Sequence, residues 1–346
     1  MSAWRRLLVG LAAVLLGTLG AGVPAQATGS SYVALGDSYS SGTGTRAYLS
    51  DGTSCQRSVY AYPSLLAASK GYTLNFRACS GATTADVSAL QLSALGTGTA
   101  YVSLTVGGND AGFADVLTTC AQPSWASDCN GAIDRAQSII TGQLPARLTS
   151  LYTAIRGRAP QAKVVVAGYP RVFNGADCNA FTWFSPTEET RLNATADLLN
   201  SKISTAAAAA GFSFANPTTA FTGHAVCDAV EWLNGLSSPV TESYHPNRSG
   251  HASGYAPVVG SRLTGSTVTV TPATARVAEA SAPQLAAQQR TYAERDRAIR
   301  PQVFRVPDLS SPQIRAAAAR AGVDLTRRAS IDAADRRHAA AQAATR

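Results

Sequence analysis

The stretch Lys163-Val164-Val165-Val166-Ala167 most narrows what this chain can fold into. Three β-branched residues in a row, with no polar residue between them, suit a strand buried on both faces, and such strands belong to parallel sheets covered by helices. Tyr32-Val33-Ala34-Leu35, Tyr72-Thr73-Leu74-Asn75-Phe76 and Tyr101-Val102-Ser103-Leu104-Thr105-Val106 read as further strands. Helical patterns lie between them, at about 60–70, 132–157 and 186–210. The last has Ser185 as cap, Pro186 in its first turn and Glu188 as reciprocal partner, then Leu192, Leu199 and Ile203 on one side and Gly211 at its end. Strands alternating with helices predict an α/β fold, a three-layer sandwich around a parallel central sheet. In such a sheet, functional residues collect at the carboxyl ends of the strands.

Two of those ends carry chemistry. Leu35 is followed by Gly36-Asp37-Ser38-Tyr39, a tight turn and then a polar triplet. If a helix begins at Ser38, that residue sits where a strand meets a helix amino end, with unpaired backbone N–H groups pointing outward. A serine there can attack a carbonyl carbon while its own N–H helps stabilise the oxyanion. Helix capping alone would also explain Asp37 and Ser38. The strand ending at Val106 runs into Gly107-Gly108-Asn109-Asp110, which places an amide side chain at a second strand end. Near the other end of the chain lies Glu242-Ser243-Tyr244-His245-Pro246. A serine, an amide donor and a histidine are the parts an acyl-transfer site needs. The Gly-x-Ser-x-Gly elbow does not occur in the chain, which removes the nearest competing serine-hydrolase reading.

Together with Cys79-Ser80-Gly81-Ala82-Thr83, these blocks make residues 31 to about 260 resemble the SGNH (GDSL) hydrolases. The resemblance is to the secreted, disulfide-bonded lipases and phospholipases of streptomycetes in particular. It implies Ser38 as nucleophile, His245 as general base, and an oxyanion hole made by the backbone N–H groups of Ser38 and Gly81 with the Asn109 side chain. Where most of the family carries an aspartate three residues before the histidine, this chain has Glu242. The imidazole is therefore oriented either by Glu242 or by the backbone carbonyl of Ser243. The implied activity is hydrolysis of carboxylic esters, lipid acyl esters foremost, through a Ser38 acyl-enzyme with no cofactor or metal. A polysaccharide acetyl esterase shares every catalytic residue, and a non-catalytic secreted module binding wall or membrane is a further alternative.

Residues 1–27 read as a signal peptide: Arg5-Arg6 precede an apolar run from Leu7 to about Gly20, and Ala25-Gln26-Ala27 has the form of a cleavage site. A secreted product is expected, by the Sec or the Tat route. Six cysteines, Cys55, Cys79, Cys120, Cys129, Cys178 and Cys227, then imply bridges, with fifteen pairings open to sequence alone. Their spacing suggests the sequential pairs 55–79, 120–129 and 178–227, and the resemblance implies the same. No Cys-x-x-Cys or histidine cluster supports a metal.

Phe113, Trp125, Phe173, Phe181, Trp183, Phe184 and Trp232 fall in or beside predicted loops. They are either core residues or, as a group, the lining of an acyl pocket or a lipid-facing rim. His224 reads as structural, and His251 follows His245 without the carboxylates a metal site needs.

Charge divides the chain. Residues 28–265 carry fourteen basic and fourteen acidic residues, whereas residues 266–346 carry thirteen arginines against seven acids, a net of +6. The first span is the expected hydrolase domain. The second is an Ala/Arg-rich extension, helical or partly disordered, with helices predicted from Ser311-Pro312 to Gly322 and from Ser330 to about Ala344. Its arginines are either solvated charge or attracted to an anionic membrane or cell-wall surface. Nucleic acid is not an expected partner, since no recognition motif is present. The expected state is a monomer acting on an ester or lipid substrate.

Overall fold

The computed structural model describes residues 29–344, so the predicted leader lies outside the described residues. The chain runs through β1 (Ser31–Gly36), α1 (Ser38–Ser41), α2 (Tyr62–Lys70), β2 (Thr73–Phe76), α3 (Thr84–Asp86), β3 (Tyr101–Thr105) and α4 (Phe113–Cys120). It continues through α5 (Cys129–Gly142), α6 (Leu144–Arg158), β4 (Lys163–Ala167), α7 (Pro186–Ala209), β5 (Ser213–Ala215) and α8 (Ala256–Thr264). The extension adds α9 (Pro272–Ala280), α10 (Ala282–Arg290), α11 (Ala293–Asp296), α12 (Pro312–Ala321) and α13 (Arg328–Ala344).

The five strands form one parallel sheet in the order β2-β1-β3-β4-β5. Past their first residues β1, β3 and β4 are buried throughout, as strands without polar alternation require. Helices α2 and α8 pack on the sheet, α7 packs on β4 and β5, and α5 and α6 pack against α7, which gives the three-layer sandwich.

The predicted caps of α7 are present. The Ser185 hydroxyl accepts from the Glu188 N–H at 3.3 Å, and the Glu188 carboxylate accepts from the Ser185 N–H at 2.9 Å. The single helix expected over 132–157 is instead two, broken at Gln143. Pro145 has no N–H to donate and its ring clashes with the preceding turn, so it begins a new helix rather than continuing the old one. The three bridges pair the cysteines in sequence order: Cys55–Cys79, Cys120–Cys129 and Cys178–Cys227.

The extension is helical and docked on the rest of the protein. Helix α9 packs on α2, and α10 lies beside β2. At its far end the Asp335 carboxylate accepts from the Ser124 N–H at 2.7 Å, and the Trp183 indole donates to Asp332 at 2.9 Å. Among the described residues no helix is long and apolar enough to cross a membrane.

Candidate active site

Gly36 lets β1 close against β3. Its φ is +113°, and a Cβ there would lie 2.2 Å from the Thr105 carbonyl oxygen. The next residue, Asp37, caps α1 by accepting from the Tyr39 N–H at 3.0 Å, and the same oxygen takes the Thr105 hydroxyl at 2.6 Å. Its other oxygen takes the hydroxyl of Tyr169, just beyond β4. One carboxylate thus ties three strand ends together. Burial pushes it up to about 6, against hydrogen bonds from Thr105, Tyr169 and the Tyr39 N–H that pull it down. Ser38 is left at the first position of α1, and its N–H has no acceptor among the described residues.

The Ser38 Oγ lies 2.9 Å from His245 Nε2, although 207 positions separate the two residues. On the far side of the ring, Nδ1 is 2.9 Å from the Ser243 carbonyl oxygen. A carbonyl can only accept, so Nδ1 carries the proton and the Nε2 lone pair faces the serine hydroxyl. The Glu242 carboxylate makes no hydrogen bond to the imidazole in this structure. It takes the Tyr48 hydroxyl at 2.6 Å and lies 3.5 Å from Arg46, while Nδ1 of the ring is engaged by the Ser243 carbonyl.

Tyr39 also positions the histidine, a role that the sequence pattern did not reveal. Its hydroxyl donates to the Tyr244 carbonyl at 2.8 Å, and its ring lies 5.3 Å from the imidazole. Tyr244 has a left-handed backbone, φ 60°, an uncommon conformation for a bulky residue that this bond and the burial of its ring help hold.

Burial holds His245 down to about 4, with the Ser243 carbonyl working the other way. Only the neutral ring can take a proton at Nε2, so a His245 acting as base is expected to lose activity as pH falls through that value. The acid limb of kcat/KM is expected to have its midpoint near pH 4. A midpoint near the ordinary histidine value of about 6.5 that follows the His245 imidazole itself, read by its NMR titration, rather than Asp37, which burial pushes up to about 6, would contradict this.

Residues 77–82 run past the end of β1, where the Cys79 N–H donates to the Gly36 carbonyl at 2.9 Å. Gly81, with φ +88°, has no acceptor for its N–H among the described residues. The Asn109 side chain donates one N–H to the Ala82 carbonyl at 3.0 Å, which fixes the amide beside that glycine and leaves its second N–H available. The Cys55–Cys79 bridge ends two residues from Gly81 and braces this stretch.

From Ser38 and Asn109 an apolar pocket descends between α4, α5 and α7. Phe113, Leu117, Ile140, Phe173, Leu192 and Leu199 line it. Of the loop aromatics, Phe113 and Phe173 do line the pocket; the others do not. Phe184 stacks behind Phe173, Trp183 is covered by α13, Trp232 stacks on His224, Trp125 is half-buried, and Phe181 is exposed. His251 is buried against Tyr62, whose N–H it accepts at 3.3 Å, and meets no carboxylate.

The model of the GDSL-like Lipase/Acylhydrolase family matches residues 34–253, well over half of the chain. The chain belongs to that family. It is a lipase-type carboxylic ester hydrolase. A lipase of Streptomyces rimosus is 47% identical over 232 residues, which are 66% of this chain and 85% of that relative. Lipase 1 of Streptomyces coelicolor is 45% identical over 70% of this chain and 89% of its own. Among solved structures, phospholipase A1 of Streptomyces albidoflavus NA297 is similar with 42% identity and a TM-score of 0.64, over 68% of this chain and all of that one. The GDSL block is the Gly36-Asp37-Ser38-Tyr39 turn described above, and Ser38 is its serine.

Proposed function

We propose that this GDSL-family hydrolase cleaves long-chain acyl esters through a Ser38–His245 dyad. The reading rests on the 2.9 Å contact between Ser38 Oγ and His245 Nε2, with Nδ1 engaged by a carbonyl. Ser38 attacks the ester carbonyl as Nε2 takes its proton, and the Ser243 carbonyl stabilises the imidazolium. The oxyanion is held by the N–H groups of Ser38 and Gly81 and by the Asn109 amide. The proton then passes from Nε2 to the departing alcohol, and water repeats the sequence on the acyl-enzyme. Every group in this scheme is a side chain or backbone amide, so no cofactor is called on.

The apolar pocket beneath Ser38 favours a long acyl chain over an acetyl group, because each buried methylene contributes about 0.8 kcal/mol. Leu199→Trp should block it. A chain-length series of p-nitrophenyl esters is expected to show at least about tenfold loss of kcat/KM on the dodecanoate relative to the acetate. Equal losses on both would return the acetyl-ester reading.

In this reading residues 1–27 are a secretion leader, 28–265 the hydrolase domain and 266–346 an appended extension, and the enzyme acts outside the cell as a monomer. A similar solved structure, the lipase of Streptomyces rimosus described as extracellular, supports export. Exposed Arg315, Arg320, Arg336 and Arg337 on α12 and α13 would draw the enzyme to anionic lipid. Arg315→Glu with Arg320→Glu is expected to weaken binding to anionic vesicles at low salt by at least about tenfold, at about 1 kcal/mol per arginine. Unchanged binding in a sedimentation assay would remove that part.

A further inference from the structure

The cavity beneath Ser38 is narrow. It encloses about 70 Å³, whereas a dry cavity of roughly 150 Å³ is what takes a benzene ring. A chain of more than a few carbons therefore enters by parting the walls, and whatever ties the walls together limits how long a chain is accepted. Two of those walls are Phe173, in the stretch after β4, and α4, which supplies Phe113, Val116 and Leu117.

Phe304 and Arg305 of the extension tie these two walls together without lining the cavity themselves. Phe304 is 4% exposed and packs edge-on against Tyr244, with 5.0 Å between ring centroids. The Tyr244 ring lies 5.9 Å from Phe173 and 5.8 Å from Phe184, and those two lie 4.8 Å apart. Phe173, which lines the cavity, thus belongs to a buried cluster of four rings, one of them from the extension. The next residue turns to α4, where Thr118 accepts from the Arg305 N–H at 3.0 Å and Asp115 pairs with the Arg305 guanidinium at 3.1 Å. Consecutive Cα atoms are about 3.8 Å apart, so a single peptide link spaces the backing of Phe173 from α4. The stretch is anchored upstream, where the Gln302 amide donates to the Asn109 backbone carbonyl at 3.3 Å and Asp296 pairs with the buried Arg57 and Arg77. A second tie follows in α13: Asp332 accepts from the Trp183 indole ahead of α7, and Asp335 accepts from the Ser124 N–H between α4 and α5. There the walls also meet directly, the Trp183 N–H donating to the Ala121 carbonyl at 3.0 Å, so the Phe304–Arg305 link is the one that decides. The family match ends at residue 253, so both ties come from outside it.

We propose that the extension sets the upper limit of acyl-chain length, with Phe304 and Arg305 as positioning residues that act through Phe173 and α4. With the link intact the walls resist parting, and chains of medium length are favoured over longer ones. With the link cut, the longer chains gain most, because each further methylene that the cavity admits is worth about a factor of four. This rests on the reading above that the acyl half of the ester enters this pocket.

The test compares p-nitrophenyl hexadecanoate with p-nitrophenyl octanoate, both in the same detergent micelles. The full chain is assayed as wild type, as Phe304→Ala, and as Thr118→Val with Arg305→Ala, whose two positions lie at the surface and leave the core intact. The ratio of kcat/KM for hexadecanoate to that for octanoate cancels any difference in active fraction. It is expected to rise at least about threefold in both variants, less than one further methylene would give. A smaller rise, or a fall, in either variant that folds overturns the proposal. The route is checked in a Phe173→Ala background, where adding Phe304→Ala should move the ratio by less than about threefold. A larger further rise would mean that Phe304 does not act through Phe173, and would overturn the proposal too. Leu199→Trp, run beside these, keeps two failures apart. If it spares the dodecanoate relative to the acetate, the acyl half does not enter this pocket and both readings fall. If it blocks the dodecanoate while the ratio stays at the wild-type value, only the role of the extension falls.

Discussion

Ser38→Ala is expected to lower kcat on a soluble ester by about 10⁵-fold or more, and His245→Ala by a comparable amount, because a nucleophile and its base act as one unit and losing either forfeits the acyl-enzyme path. The double variant should then be little worse than either single one. Glu242→Ala belongs in the same series as the contrast. Its carboxylate serves Tyr48 and Arg46 rather than the imidazole, so kcat should stay within about tenfold of wild type. A loss near 10⁴-fold for Glu242→Ala would mean that the acid takes over the orienting role during turnover. Losses that simply multiply between Ser38→Ala and His245→Ala would mean that the two do not work together. Steady-state kinetics on p-nitrophenyl butyrate, with unfolding curves for each variant, resolves these outcomes.

The positions of Ser38 and Asn109 were legible because strand ends announce themselves: an apolar run stops, a glycine turns the chain, and a polar side chain follows. The parallel sheet then carries both to one edge through the register that pairs Gly36 with Thr105. What could not be read was the choice between Glu242 and the Ser243 carbonyl. That depends on the left-handed turn at Tyr244 and on the Tyr39 hydroxyl that secures it from 205 positions away, and neither has a local signature. The pocket was foreseen in kind and misassigned in part. Trp183 looked like a candidate because it is aromatic and lies in a loop, but its indole nitrogen is satisfied by Asp332 and its face by Arg328, 4.4 Å from the ring centroid.

Long-range burial also explains which elements were missed. Strand β5 is three residues, Ser213-Phe214-Ala215, too short for any period to show, and it is a strand only because β4 pairs with it. In the extension, α12 was readable from Ser311-Pro312 and Gly322, which do cap it. Helices α9 to α11 were not read, although Thr271 and Pro272 begin α9 much as Ser311 and Pro312 begin α12; each is short and buries few side chains, Ala278 in α9, Leu285, Ala286 and Gln289 in α10, and Ala293 and Asp296 in α11. Composition suggested a charged, solvated tail. It could not reveal that one acid of that tail, Asp296, answers two arginines of the hydrolase part.

That pairing makes Asp296→Ala the substitution with the largest expected effect on stability. Arg57 and Arg77 are fully buried, and among the described residues the one other acid they pair with is Asp51, at 2.6 Å from Arg57. With Asp296 present the cluster holds two positive and two negative charges; without it, one guanidinium charge stays buried and uncompensated. Removing one partner of a buried pair costs about 3–5 kcal/mol, far more than a surface pair would. The remaining contacts of Arg77, to Gln289 at 2.9 Å, to the Leu90 carbonyl at 3.2 Å and over the Tyr292 ring at 3.9 Å, supply dipoles but no countercharge. A drop in Tm of about 10 °C is expected by calorimetry. Asp296→Asn should recover part of it by returning the acceptor without the charge. An unchanged Tm would mean that the Asp296 pairing does not hold the extension to the sheet in solution. A drop of the expected size would mean that the extension and the sheet unfold as one cooperative body, with the arginine pair as the joint between them.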